Sequence, residues 1–228
     1  MLKVIQRRLE NFICAELPEE QAGFRKGRGT RDHISNMRMI MNKSHHMQKP
    51  LILCFIDYKK AFDCVDHQRL WKVLEHMGAP MHLIVLLQQL YDGQRAVVRT
   101  EHGDTEHFGV GKGVRQGCIL SPILFNIYAE KIIRDALDGY EKGIKIGGRT
   151  ISNLRYADDT SLLAETVEEM KQLIHKVKVK SEEAGLLLNL SKTKIMSNSL
   201  IREFQLNGEE IEVVESFQFL GVKLSDDG

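Results

Sequence analysis

Ile34, Met37, Met41 and Met47 recur at roughly helical spacing behind a polar start at Thr30–Asp32, a pattern that predicts an amphipathic helix. Leu51–Ile56 is a continuous apolar run of strand length that stops abruptly at Asp57. Leu70, Trp71, Leu74 and Met77 predict a second helix, stopped by Gly78 and Pro80. From Pro80 to Tyr91 a third helix is expected, with Leu83, Leu86, Leu87 and Leu90 on one side. "AVVRTEHGDTEHFGV" reads as two strands around a turn at His102–Asp104.

Ser121-Pro122 predicts an N-cap followed by proline at the first helical position. It opens a long helix whose Leu124, Phe125, Tyr128, Ile132 and Leu137 face a core. "IKIGGRTI" and "QLNGEEI" carry the Gly-Gly and Asn-Gly signals of tight hairpins. Between them, Thr166-x-x-Glu169 is a capping-box start for a helix bearing Met170, Leu173, Ile174 and Val177, closed by Gly185. "SFQFLGVKL" reads as a final strand. Helices and strands are mixed rather than regularly alternating, which predicts an α+β fold.

Composition narrows the class. At 228 residues, 43% hydrophobic and 28% charged, the chain has material for one domain or two small ones. A net charge of +1 gives no bulk reason to expect a polyanionic partner. The local clusters Arg25-Lys26-Gly27-Arg28 and Lys59-Lys60 read more readily as solvated loops than as binding sites. Cys14, Cys54, Cys64 and Cys118 are scattered without a C-x-x-C pair, so reduced thiols and an intracellular setting are expected. The nine His show no H-E-x-x-H spacing. The apolar runs Leu51–Ile56 and Leu83–Leu87 are too short to span a bilayer, and "MLKVIQRRLE" lacks a secretory h-region. The expected chain is soluble.

Three acids stand at strand ends beside apolar runs: Asp57 after "LILCFI", and Asp158-Asp159 after "NLRYA". Adjacent carboxylates repel, and desolvating them is costly unless a cation offsets the charge. Hard oxygen ligands at the lip of a sheet suit Mg²⁺, and two ions about 3.5–4 Å apart can clamp a phosphoryl transfer. On spacing alone, an ordinary polar turn and a strand terminator account for the same residues equally well. Other chemistries have less support. "GVGKGVRQG" lacks P-loop spacing; there is no G-x-S-x-G, and Cys118 has no evident His partner. Asp63 and Asp66 read as caps of the Trp71 helix, and Phe62 as either core or pocket wall.

The order of longer motifs adds more. "CFIDYKKAFDCVDH", "GVRQGCILSPILFNIY", "RYADDTSLL", "GLLLNLSKTKIM" and "FQFLGV" follow one another as in the reverse transcriptase motif series. Upstream, "QAGFRKGRGTRDHI" resembles the preceding block of non-LTR (LINE-type) retrotransposon enzymes. The wording is most similar to the RTE clade and its BovB-like members, over essentially the whole chain.

This resemblance implies a right-hand polymerase palm, an antiparallel sheet backed by helices. Residues 1–50 would be a partial fingers segment. Residues 51–228 would be palm with inserted fingers helices at about 67–110, the thumb missing. It implies that Asp57, Asp158 and Asp159 hold two Mg²⁺ ions, or Mn²⁺ in their place, with the Tyr58 backbone carbonyl as a further ligand. Tyr58, Phe62, Gln116 and Gly117 would meet the incoming dNTP, Phe62 as the gate against a ribose 2′-OH. Lys192 would protonate the leaving pyrophosphate, and Phe219, Leu220 and Gly221 would form the primer grip. Arg25, Lys26, Arg28 and Arg31 would lie near the template.

The implied partners are an RNA template and a DNA primer, with no membrane and a nuclear or cytoplasmic location. The family's fingertip hairpin, thumb and endonuclease domain are expected to fall outside a chain running from "MLKVIQRRLE" to Asp226-Asp227-Gly228. Two readings remain: an RNA-directed DNA polymerase domain, or a catalytically inert retroelement fragment that binds nucleic acid or protein.

Overall fold

A computed structural model describes residues 1–226, apart from the side chains of residues 14 and 15; the Cys14 thiol, Asp227 and Gly228 lie outside the described residues. Six α-helices are formed among them: α1 (Leu2–Glu16), α2 (Thr30–His46), α3 (His67–His76), α4 (Met81–Tyr91), α5 (Ser121–Leu137) and α6 (Val167–Glu183). The chain packs as two compact units, Leu17–Lys59 with Ala129–Gly228 and Met1–Glu16 with Lys60–Tyr128.

The larger unit is built on a five-stranded sheet. Its strands are β1 (Ile52–Ile56), β2 (Asn153–Tyr156), β3 (Asp159–Ala164), β4 (Lys194–Ser197) and β5 (Glu212–Val213). The spatial order is β5-β4-β1-β3-β2. All neighbours run antiparallel except the short β5, which lies parallel to β4.

Because strand side chains alternate between faces, the apolar run of β1 divides between two cores. Ile52, Cys54 and Ile56 join Met170, Leu173, Ile174 and Val177 of α6 on one face. Leu53 and Phe55 join Met37, Ile40 and Met41 of α2 on the other. A strand covered on both faces needs no polar alternation, which is why "LILCFI" is uninterrupted. Thr166 caps α6 by accepting from the Glu169 amide, but the capping box is only half made, because the Glu169 carboxylate accepts from the Glu165 amide at 3.4 Å instead of that of Thr166.

Both expected tight hairpins form, at Ile144–Ile146 with Arg149–Ile151 and at Gln205–Leu206 with Glu209–Glu210. The expected final strand is instead a third hairpin, β6 (Ser216–Phe219) with β7 (Val222–Ser225). Its two-residue turn puts Leu220 at φ 48° and Gly221 at φ 80°, the doubly left-handed backbone of a primed turn. A leucine there hides the turn from a reading that looks for Asn or Asp before glycine.

In the smaller unit, the apolar face of α4 is Leu83, Ile84, Leu87 and Tyr91, while Leu86 is exposed. The rings of His67 and Trp71 on α3 meet Tyr91 at 4.9 and 5.7 Å. Asp66 caps α3 through the Arg69 amide; Asp63 does not, and accepts instead from the Gln116 amide group at 3.4 Å. The segment 95–109 folds as two nested pairs of two-residue strands, Arg95–Ala96 with Phe108–Gly109 and Arg99–Thr100 with Gly103–Asp104. Ser121 is the first helical residue rather than the cap. Its hydroxyl donates to the Arg115 carbonyl, and the Leu124 amide bonds to the Leu120 carbonyl. Met47 lies beyond the end of α2, where it is exposed.

One feature of the larger unit breaks the apolar pattern. Arg155 on β2 and Glu130 on α5 are each 2% exposed and lie 2.8 Å apart, and Glu130 also binds Arg134 at 2.7 Å. The Arg155–Glu130 contact is not aligned as a hydrogen bond, so the attraction offsets desolvation poorly. Removing one partner leaves a buried charge uncompensated. Glu130→Gln or Arg155→Met alone is therefore expected to lower stability by about 3–5 kcal/mol, whereas Glu130→Met with Arg155→Met costs less than either. Denaturant midpoints of the three variants check this.

Candidate active site

The centre of the site is a turn. β2 and β3 pair with Tyr156 opposite Asp159, which leaves only Ala157 and Asp158 at the tip. Ala157 sits at φ 58°, a conformation that costs a non-glycine residue about 1–2 kcal/mol. The neighbouring register pairs Ile56 of β1 with Thr160 of β3. Asp57 therefore leaves the end of β1 beside the strand that begins with Asp159.

Electrostatics show how closely the acids interact. Asp159 is pushed up to about 6, first by desolvation, then by the charges of Asp158 and Asp57. Asp158 is also raised, by desolvation first and the Asp57 charge last; its own backbone N–H opposes the shift. None of the three is in an ion pair among the described residues. The acids fit divalent cations in donor type and in charge demand. Among the described residues, no three acid, His or Cys side chains converge as a ready-made coordination shell.

A cavity of about 320 Å³ joins Asp57 and Asp159 to Lys192, Lys194, Phe217 and Phe219. Lys192 is carried on the tight turn before β4, where the Lys192 and Thr193 amides bond to the Asn189 carbonyl. The Asn189 amide in turn bonds to the Asp57 carbonyl, fixing the lysine turn to the end of β1. Phe217 stacks on Phe55 at 4.4 Å and 16°, and Phe219 lies 5.3 Å from the same ring. These contacts seat the Leu220-Gly221 hairpin on the sheet. The Tyr58 ring packs on the α6 core, with its hydroxyl 3.1 Å from that of Ser181; burial raises its pKa.

The four cations of the Arg25–Arg31 segment divide into two kinds. Arg25 donates to the carbonyls of Pro18 and Gln21, and Arg28 to that of Glu19, so both brace their own loop. Lys26 and Arg31 are exposed. In the smaller unit, Phe62 stacks on Phe125 at 4.3 Å and 15°. Gln116 bonds Asp63, and Gly117 takes φ 80° with open space where a Cβ would stand. Sequence reasoning missed Gln21, whose side chain reaches the hairpin tip, and Arg155, whose one signal is a charge inside "NLRYA".

Comparison with known proteins gives the family. The family model for reverse transcriptase (RNA-dependent DNA polymerase) matches residues 1–224, and the chain belongs to that family. It is 30% identical over 195 residues to the "Retrovirus-related Pol polyprotein from type-2 retrotransposable element R2DM" of Drosophila melanogaster, covering 83% of this chain and 18% of that protein. The "RNA-directed DNA polymerase from mobile element jockey" of Drosophila funebris is 21% identical over 233 residues, covering 97% and 25%. The Xenopus laevis "Transposon TX1 uncharacterized 149 kDa protein" is 26% identical over 206 residues, covering 89% and 16%. The chain thus spans a quarter or less of these relatives. Their names support a non-LTR retrotransposon reverse transcriptase domain; they are R2, jockey and TX1 names, not RTE ones.

The palm fold recurs in solved structures. Apo telomerase from Candida tropicalis matches with a TM-score of 0.73 at 14% identity, over 98% of this chain and 44% of that one. Telomerase from Candida albicans matches at 0.69 and 14%, over 98% and 36%. Among the described residues no helix is long and apolar enough to cross a membrane.

A raised carboxylate pKa means that the folded chain holds a proton the unfolded chain releases. Asp159 therefore favours the fold at pH below its unfolded value near 3.8 and withdraws that contribution as pH rises through about 6. Without divalent metal at pH 7.5, Asp159→Asn is expected to raise the melting temperature. With Mg²⁺ or Mn²⁺ the parent is expected to gain more than the variant. Thermal unfolding with and without metal checks both signs.

Proposed function

We propose that the chain is the RNA-directed DNA polymerase domain of a non-LTR retrotransposon, joining dNTPs to a primer 3′-OH on an RNA template. The observation that carries the reading is the cavity shared by Asp57, Asp159, Lys192 and Phe219: two acids, a cation and an aromatic ring of the β6–β7 hairpin, drawn from four separate stretches of sequence. Asp57, Asp158, Asp159 and the Tyr58 carbonyl would hold two Mg²⁺ ions, or Mn²⁺. Bound there, the ions would lower the pKa of the primer hydroxyl and stabilise the leaving pyrophosphate.

The residues have distinct tasks in that reading. The 3′-hydroxyl gives its proton to solvent, its oxygen bonds to the α-phosphorus as the bond to pyrophosphate breaks, and Lys192 gives the leaving group a proton that it regains from solvent. The Leu220-Gly221 hairpin supports the primer end. Phe62, Gln116 and Gly117 are assigned to dNTP selection by their motif match. Lys26 and Arg31, being exposed, suit template phosphates, while Arg25 and Arg28 act by holding the loop that presents them.

We assign residues 51–228 to the palm with its inserted helices and residues 1–50 to the fingers, although α2 packs on the palm sheet. Motif wording supports an RTE-type, BovB-like lineage, and a nuclear or cytoplasmic site of action suits an RNA template.

Extension of a labelled DNA primer on an RNA template, with Mg²⁺ and dNTPs, tests the function. The parent chain is expected to extend, Asp158→Ala to lose extension, and Lys192→Ala to slow it by about 10²-fold. A folded parent that extends nothing, yet retains RNA, would instead mark a binding-only module.

A further inference from the structure

We propose that Gln21 is a positioning residue for the catalytic turn, and that residues 20–23 form a strap holding Asp158 and Asp159 in place. The inference rests on the polymerase reading for what the turn does, and on geometry alone for what the strap does. Residues 20–22 run along the free edge of β2: the Arg155 amide donates to the Glu20 carbonyl, the Ala22 amide to the Arg155 carbonyl, and Gln21 pairs with Arg155 in parallel. Gln21 is fully buried. Its side-chain oxygen accepts from the Ala157 amide at 3.0 Å and from the Gly23 amide at 2.9 Å.

Those two donors fix which way the amide points, because only oxygen can accept from both. The Ala157 bond falls on the left-handed residue of the turn, so the strap supplies a partner to the backbone that carries the strain. Gly23 makes the close approach feasible: a Cβ there would lie 2.3 Å from the Ala157 nitrogen and 2.8 Å from the Tyr156 carbonyl carbon. Arg25 pins the strap from behind by donating to the Pro18 and Gln21 carbonyls.

The choice of glutamine is informative. Its side-chain nitrogen is buried with no hydrogen-bond partner among the described residues. Glutamate would accept both bonds without an orphaned donor. It would also bury a further anion against the turn that carries Asp158. Glutamine keeps the acceptor and omits the charge, as a site that must hold its acids for cations requires.

The test combines amide exchange with metal binding and catalysis. In the metal-free parent the Ala157 amide is expected to be protected. Gln21→Met, close in size but without an acceptor, should lose that protection, and Gln21→Glu should keep it. Gln21→Met should also weaken Mn²⁺ binding and lower kcat for primer extension, each by about tenfold or more, with the KM for dNTP within about twofold. If Gln21→Met does not fold, Gly23→Ala displaces the strap instead and should expose the same amide. A folded Gln21→Met variant with parental protection and Mn²⁺ affinity would overturn the proposal. A parent that extends no primer counts against the polymerase reading alone, and the Ala157 amide still decides the strap.

Discussion

The antiparallel pairing of β1 with β3, in the register that sets Ile56 opposite Thr160, is the constraint on which the rest depends. A slip of one residue would turn every side chain of β1 to the other face. Ile52, Cys54 and Ile56 would leave the α6 core, and Leu53 and Phe55 the α2 core. The same slip would carry Asp57 away from Asp159. Hydrophobic burial thus enforces the register, and the register places the acids. The chemistry needs no separate device to bring the two strands together.

At the turn itself the balance reverses. Interacting carboxylates with no ion-pair partner among the described residues, an alanine at positive φ and a buried amide nitrogen without a hydrogen-bond partner among them all work against the fold. The surroundings over-determine the geometry instead. β2 is held by β3 on one side and by the 20–22 strap on the other, and the Tyr156 ring lies near those of Phe24 and His33 at 6.3 and 6.1 Å. Burial holds the His33 imidazole down to about 4, so it stays neutral between Tyr156 and Phe219. Strain concentrated at one tip and opposed by rigid neighbours is the pattern expected of a functional site.

Local signals made much of this legible. The helices α3 and α6, the two hairpins with Gly-Gly and Asn-Gly, and the isolation of Asp57, Asp158 and Asp159 beside apolar runs all follow from spacing and turn chemistry. The motif series marked the family because each motif is a local word. What stayed hidden depends on distant pairings. The Leu220-Gly221 turn does not advertise itself, since leucine is an uncommon occupant of a left-handed position. Leu86 looked like a core residue because its side of α4 is apolar, but burial selects Ile84 and Tyr91. Arg25 and Gln21 sit in one loop, and only the fold shows that one braces the other against the Ala157-Asp158 turn.

The sheet gathers Asp57 and Asp159 at one lip, where a divalent cation would supply the charge that these acids demand. The direct measurement is calorimetric titration of the metal-free chain with Mn²⁺ at pH 6, in two buffers of different ionisation enthalpy. With Asp159 near 6, binding should release about half a proton or more per chain, and raising the pH to 7.5 should abolish most of that release and tighten binding. A folded chain that takes up no metal, or takes it up with no proton release at pH 6, would mean that these acids do not form a cation site.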